Sequence, residues 1–335
     1  MIGTAPNGFR ASITGIGSYV PERVLTNAEL SKMVDTSDEW IIERTGIRER
    51  RIAAPDQALS DLCRPAITAA LAQAGAEPSS VDLLVVATVT PDMAFPSTGA
   101  ILADDLGMPD AGAYDLSAGC TGFMYALAQA YGMMAAGLAH RAVVAGGDVL
   151  SKIMDWTDRS TCVLFGDGAG AVVLEQVEHG GFLGFELGAD GSGGPQLYMP
   201  AGGSRMPASA ETVAERKHFA QMNGREVFKF ATRVLVSSAE TILQKCGRAL
   251  DEVDVYIPHQ ANVRIIEHAV RKLGIAGDKV VINVDRYGNT SSGSIPLALA
   301  DAAEAGRLHD GDLVLMTGMG AGLTWGSALM EWSSK

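Results

Sequence analysis

Residues 72–88 read AQAGAEPSSVDLLVVAT, and residues 243–259 read LQKCGRALDEVDVYIPH. In each, a helical pattern stops at a glycine, Gly75 or Gly247, and Val-Asp soon afterwards opens an apolar strand. The two glycines lie 247 − 75 = 172 residues apart. The same offset relates Ala126-Leu127-Ala128 to Ala298-Leu299-Ala300. It also relates Gly146, closing the strand-like run Ala142 to Ala145, to Gly318, closing Leu313 to Thr317. Matches at one spacing, each pairing helix with helix or strand with strand, mark a duplicated β/α unit built of sheets layered with helices.

The β-branched runs Leu83 to Thr90 and Val280 to Val284 read as buried strands. Asp61 to Gly75 and Phe228 to Gly247 read as helices. The expected organisation is an N-terminal half over residues 1–180, a Gly-, Pro- and Ser-rich insertion of surface loops over 181–224, and a C-terminal half over 225–335. The length of 335 residues suits more than one core.

With 26 Lys+Arg against 39 Asp+Glu, the net charge is −13, which argues against a nucleic-acid partner. The longest nearly apolar stretch, Ala142 to Gly146, is far too short to span a bilayer. Met1 to Arg10 lacks the charged head and apolar run of a signal peptide. Cys63, Cys120, Cys162 and Cys246 form no C-x-x-C pair and no disulfide framework, so a cytoplasmic setting is expected. No ligand cluster suggests a metal.

Cys120 stands in DLSAGCTGFMYALAQAYG, after a small-residue turn (Ser117, Ala118, Gly119) and before a run with Phe123, Ala126, Leu127 and Ala130 at helical spacing. A helix start favours a thiolate and leaves a backbone N–H for an acyl oxygen on the sulfur. The local pattern is equally that of a buried structural cysteine, which is how Cys63 and Cys246 (helical patterns) and Cys162 (a strand-like run) read. His259, in the turn Pro-His-Gln-Ala-Asn after a strand, and Asn289, in RYGNTSSGSIP, are ordinary residues taken singly. The duplication links them. Cys120 and Asn289 precede the helices related by the offset, and His259 ends the strand equivalent to the one ending near Ala87, so a pseudo-twofold pair brings all three to one face.

Over essentially its whole length the chain resembles β-ketoacyl-acyl carrier protein synthase III, the condensing-enzyme family that initiates type II fatty-acid synthesis. The resemblance is carried by VDTSDEWIIERTGIRER, AFPST, DLSAGCTGF, FGDGAGAVVLE, NGREVFKFA, IPHQANVRII, YGNTSSGSIP and GAGLTWGSAL, in that order. It implies an α/β, thiolase-like, duplicated five-layered α-β-α-β-α fold and a homodimer. It further implies that Cys120 takes the acyl group of an acyl-CoA primer as a thioester. Malonyl-acyl carrier protein then loses CO2 and attacks the acyl carbonyl, with no cofactor beyond these substrates. A thiolate is both a good nucleophile and a good leaving group. Donors from His259 and Asn289 would stabilise the enolate formed by decarboxylation. The N–H groups of Cys120 and Ala321, the latter in the Gly-rich turn Gly318 to Gly322, are the expected oxyanion hole.

The same positional matches imply that Trp40 and Arg159 sandwich the adenine of CoA, with Thr36 and Arg44 nearby and Gly224, Ala261 and Asn262 along the pantetheine tunnel. Phe95, Met124, Val163 and Leu164 are the expected acyl-pocket residues, Phe95 entering the partner subunit's pocket. Arg225 departs from the family pattern, standing where an Asn helps line the tunnel, and Met319 and Leu323 replace bulkier aromatic residues of some relatives.

On the helix after His259, Arg264, His268, Arg271 and Lys272 fall within about one 100° arc. A solvated helix face is the ordinary reading of such charge. Beside a tunnel mouth it suits an acidic carrier protein, with Arg264, Arg271 and Lys229 as the docking surface.

Other readings fit less well. Gly15-Ile16-Gly17 continues to Val20, and Gly166 to Gly170 leads into a strand with no Walker lysine, so neither is a nucleotide motif. A thiolase would carry a second cysteine in the late Gly-rich turn, and an elongating ketosynthase a histidine in place of Asn289. The alternatives left are a starter-unit or acyl-transfer enzyme of secondary metabolism, which carrier specificity would reveal, and a non-enzymatic subunit, which acylation of Cys120 would exclude.

Overall fold

A computed structural model describes residues 8–333; residues 1–7, where most of the expected absence of a signal peptide falls, lie outside the described residues. The first half runs β1 (Ala11–Tyr19), β2 (Arg23–Thr26), α1 (Asn27–Leu30), α2 (Asp38–Thr45), β3 (Glu49–Ile52), α3 (Leu59–Ala74), β4 (Leu83–Ala87), α4 (Thr98–Leu106), β5 (Gly112–Leu116), α5 (Gly122–Ala135), β6 (Arg141–Asp148) and β7 (Gly168–Gln176). The second runs β8 (Gly181–Ala189), β9 (Leu197–Tyr198), α6 (Ala210–Ala214), β10 (Gln221–Met222), α7 (Gly224–Cys246), β11 (Val255–Pro258), α8 (Val263–Leu273), α9 (Val284–Tyr287), α10 (Ser294–Glu304), β12 (Leu313–Gly320) and β13 (Thr324–Glu331).

The first sheet is ordered β1-β7-β6-β4-β5 and the second β11-β12-β13-β8. Pairing is parallel within β5-β4-β6 and within β11-β12, and antiparallel elsewhere. Between the sheets lie α5 and α10. Their apolar faces (Phe123, Ala126, Leu127, Ala130; Ile295, Ala298, Leu299, Ala302) share one core with both sheets. On one outer face α3 packs over the first sheet through Leu62, Ala66, Ile67 and Ala70. On the other, α7 and α8 cover the second sheet through Ala239, Ile242, Leu243 and Ile266. The result is five layers, α-β-α-β-α.

The two glycines that expose the duplication do the same physical job. Gly75 (φ 66°) and Gly247 (φ 64°) end α3 and α7 in the left-handed conformation. In both, the glycine N–H and the next N–H fold back onto carbonyls of the last turn, a helix stop that a Cβ would strain.

The structure corrects several expected boundaries. β8 starts at Gly181 as a buried strand paired to β13, so the expected insertion over 181–224 is surface loops and short elements only after Ala189. β8 stands in the second sheet where β1 stands in the first, and the second half therefore begins near Gly181. Val280 to Val284 is not a strand. Val280 makes an isolated parallel bridge to Tyr256 and Val284 opens a short helix, a remnant at the place that β5 fills in the first half. β4 stops at Ala87, because Thr88, Val89 and Thr90 turn to hydrogen-bond the Asp148 carboxylate. Cys162 lies in a turn, and Gly318 to Gly320 continue β12, leaving only Ala321 onward to turn.

Candidate active site

Cys120 lies two residues before α5, His259 follows β11, and Asn289 lies in the loop before α10. All three line one cavity of about 320 Å³, so strand ends and helix starts from both halves do meet. A second cavity of about 150 Å³ opens beside Cys120, lined by Val89, Leu150, Ile153, Met154 and Met199 among others. Cys120, Phe165 and Leu197 border both cavities. The sulfur thus sits where the two spaces meet.

Burial pushes the Cys120 thiol up to about 11, against the expectation from its place at a helix start. The Ser291 hydroxyl and the N–H groups of Cys120 and Ala321 oppose that rise. They only partly offset desolvation, which disfavours the thiolate in an apolar setting. Ser291 Oγ has no well-aligned hydrogen bond among the described residues, so its influence on the sulfur is one of proximity. His259 is 1% exposed, and burial lowers its imidazole to about 3, so the ring is neutral. Its Nδ1 meets Ser294 Oγ at 2.5 Å. Asn289 Oδ1 accepts the Ser291 N–H at 2.9 Å, which leaves its amide NH2 for the cavity.

The first cavity is a tunnel with a basic, aromatic mouth. Trp40, Arg44, Arg159, Gly224, Ala261 and Asn262, all expected to bind CoA, line it. The Arg159 guanidinium carbon stands 5.5 Å from the Trp40 ring centroid, a cation–π contact at that mouth. Thr36 does not line the tunnel; its buried Oγ1 has no hydrogen-bond partner among the described residues. Asn262 caps α8 through Arg264 N and donates to Arg44 O, tying the two walls of the mouth.

The expected acyl pocket is redistributed. Val163 and Leu164 line the tunnel, not the second cavity. Met124 is fully buried in the central core against Gly318 and Gly326 and reaches neither cavity, because its helical position faces the second sheet. Phe95 is 85% exposed on a surface loop. Arg225 is exposed and lines neither cavity, Met319 lines the tunnel, and Leu323 packs against Gly193 away from both. Of the residues expected to dock the carrier, Arg264 and Arg271 are exposed, but so is Glu267 between them in sequence, and Lys229 is paired with Glu226 at 2.7 Å.

Two buried polar residues escaped sequence reasoning. Asp148 accepts from Thr88, Val89 and Thr90 of the first half and from Ser292 N of the Asn289 loop; burial raises its carboxyl above the ordinary range. Arg50, wholly buried, donates to Val163 O and Asn27 Oδ1 and so anchors the tunnel wall. No local motif announces either, since their partners are remote in sequence.

A duplicated five-layer frame with a cysteine at the junction of two apolar cavities is a thiolase-like fold built for acyl chemistry. Residues 114–191 match 3-oxoacyl-[acyl-carrier-protein] synthase III, and residues 243–332 match the C-terminal region of the same family. The chain is 55% identical over 324 residues to β-ketoacyl-[acyl-carrier-protein] synthase III of Desulfitobacterium hafniense, covering 96% of this chain and 98% of that protein. Crystal structures of the corresponding synthases from Thermus thermophilus (47% identity, TM-score 0.90, 97% of this chain and 100% of that one) and Aquifex aeolicus (44%, 0.89, 96% and 100%) superpose on it. The chain belongs to the β-ketoacyl-acyl carrier protein synthase III family.

Proposed function

We propose that the two cavities meeting at Cys120 divide the work of one initiating condensation. The chain is an acyltransferase that joins an acyl-CoA primer to malonyl-acyl carrier protein, giving 3-oxoacyl-acyl carrier protein, CO2 and CoA. The observation that carries this reading is the sulfur placed between tunnel and second cavity, with His259 and Asn289 on the tunnel side and the Ala321 N–H beside it. Identity of 55% to a β-ketoacyl-[acyl-carrier-protein] synthase III favours it over a starter-unit enzyme of secondary metabolism.

In the first stage the primer enters with CoA in the tunnel and its acyl chain directed into the second cavity. The Cys120 sulfur attacks the thioester carbonyl, the N–H groups of Cys120 and Ala321 hold the oxyanion, and CoA leaves as the thiol carrying the cysteine's proton. In the second stage the malonyl arm occupies the tunnel. Its carboxylate departs as CO2, and the enolate oxygen takes hydrogen bonds from His259 and the Asn289 amide. The carbanion then attacks the acyl carbonyl and releases the Cys120 thiolate, which regains a proton. A neutral His259 suits this step, since it donates a hydrogen bond without needing to be charged.

Neither stage calls for a cofactor or metal; acyl-CoA and the malonyl carrier are substrates. Arg264 and Arg271, with Lys229 at the edge, receive the acidic carrier beside the tunnel mouth. A homodimer completes the site, Phe95 of each subunit closing the second cavity of the other; its high exposure and the outer edge of β5, which has no strand partner among the described residues, support that. Cytoplasmic residence fits four unpaired cysteines.

Intact-protein mass spectrometry after incubation with acetyl-, isobutyryl-, butyryl- and octanoyl-CoA tests the reading. A single acyl adduct is expected in the wild type and none in Cys120→Ala, with the primer ranking reporting the second cavity's size; discrimination of a methylene or two is worth about 1–3 kcal/mol. Folded protein that takes no acyl group from any CoA would overturn it.

A further inference from the structure

We propose that Ser294 is a positioning residue that sets the tautomer of His259, keeping the imidazole proton on Nε2, where it faces the malonyl thioester. This deepens the condensation reading above and rests on His259 acting there as a hydrogen-bond donor.

Ser294 is the first residue of α10 and is 1% exposed. Its Oγ accepts the Gln260 N–H at 3.4 Å and lies 2.5 Å from His259 Nδ1. Among the described residues it has no other partner, so the hydroxyl's single hydrogen has one acceptor within reach, and that acceptor is Nδ1. The opposite arrangement, Nδ1–H donating to Oγ, would strand a buried hydroxyl hydrogen, which protein interiors avoid.

A neutral imidazole carries one N–H, and the bond made by one nitrogen decides the role of the other. With Nδ1 accepting, the proton sits on Nε2, which has no hydrogen-bond partner among the described residues and is left for a ligand in the tunnel that His259 lines. Burial keeps the ring neutral, so the tautomer, rather than the charge, decides whether His259 can donate. The backbone holds the ring in place from behind, through His259 N–H to Thr317 O at 2.8 Å.

The duplication explains why a serine of α10 can do this. Ser294 is separated from Gly122, the first residue of α5, by the repeat offset, 294 − 122 = 172. The two central helices start side by side at the site, one led by the nucleophile and the other by the residue that orients its partner.

The test uses the whole enzyme. In ¹⁵N-histidine-labelled wild type, with the His259 signals assigned by their loss in His259→Gln, Nδ1 is expected to resonate as an unprotonated acceptor and Nε2 as a protonated nitrogen. The reverse pattern overturns the proposal without recourse to any Ser294 variant. In Ser294→Ala, acylation of Cys120 by acetyl-CoA monitors the fold. Malonyl decarboxylation is expected to fall about tenfold, the size of one lost hydrogen bond, and Ser294→Thr to restore it. An acylatable Ser294→Ala enzyme with undiminished decarboxylation sinks the proposal. His259→Ala separates the two levels: if it leaves decarboxylation intact, the donor role of His259 itself falls; if it slows the step while Ser294→Ala does not, only the tautomer assignment falls.

Discussion

At Cys120 two effects oppose one another, and burial wins. The helix start and nearby N–H groups favour the thiolate, yet the thiol sits at about 11. Below that value each pH unit raises the thiolate fraction tenfold, so alkylation of Cys120 by iodoacetamide should keep accelerating through pH 10. A rate that levels off by pH 8 would show that the helix start and donors dominate instead. Asn289 offers a second residue-scale test. Its Oδ1 is held by Ser291 N–H, so its amide NH2 is oriented toward the tunnel. Asn289→Ala is expected to lower condensation by about 10²–10³ while the acyl adduct on Cys120 still forms; loss of both would indicate a collapsed site. Cys120, His259 and Asn289 were legible as candidates through the repeat offset and the family resemblance, since each taken singly sits in an ordinary small-residue turn. Asp148, Arg50 and Ser294 were not, since each is defined by contacts with segments far away along the chain. Met124 was misplaced for a related reason: helical spacing says that it is buried, but not which cavity or core it meets.

Among elements, the contact that decides most is β6 against the loop leading into α10. A Cβ on Gly146 would lie 2.3 Å from Ser292 O and 3.1 Å from Phe123 Cδ2, and that loop carries Asn289. Gly146→Ala should therefore cost about 1–3 kcal/mol of stability in urea unfolding and depress condensation. A variant as stable and active as wild type would mean that the loop gives way freely. Helix ends were readable because a glycine stop is a local event, as Gly75 and Gly247 show. Val280 to Val284 was misread because β-branched composition describes buried extended chain in general. Only the number of backbone partners available separates a full strand such as β5 from a single bridge. β8 was hidden for the converse reason. Its glycines resemble loop, and pairing with β13 is what makes it a strand.

For the whole molecule, the charge distribution matters more than the total. The net charge is −13, yet Arg264 and Arg271 stand exposed on α8 beside the tunnel mouth with no ion pair among the described residues. Lys229 contributes less, being paired to Glu226, and Glu267 dilutes the face. Arg264→Glu with Arg271→Glu should raise KM for malonyl-acyl carrier protein about tenfold and flatten its salt dependence. An unchanged KM would remove this face from the docking surface.

The sequence by itself determined the duplication and brought Cys120, His259 and Asn289 forward as candidates, and its resemblance to the family implied the five-layered architecture. Periodicity, glycine stops and turn chemistry act over a few residues, and the repeat offset compares one such pattern with another. Only the tertiary structure decided which residues line the tunnel and which the second cavity, where the second half begins, and how far burial outweighs the helix start at the sulfur. Those are properties of enclosure. They depend on what packs behind a residue, and in this chain that is supplied by segments of the other half.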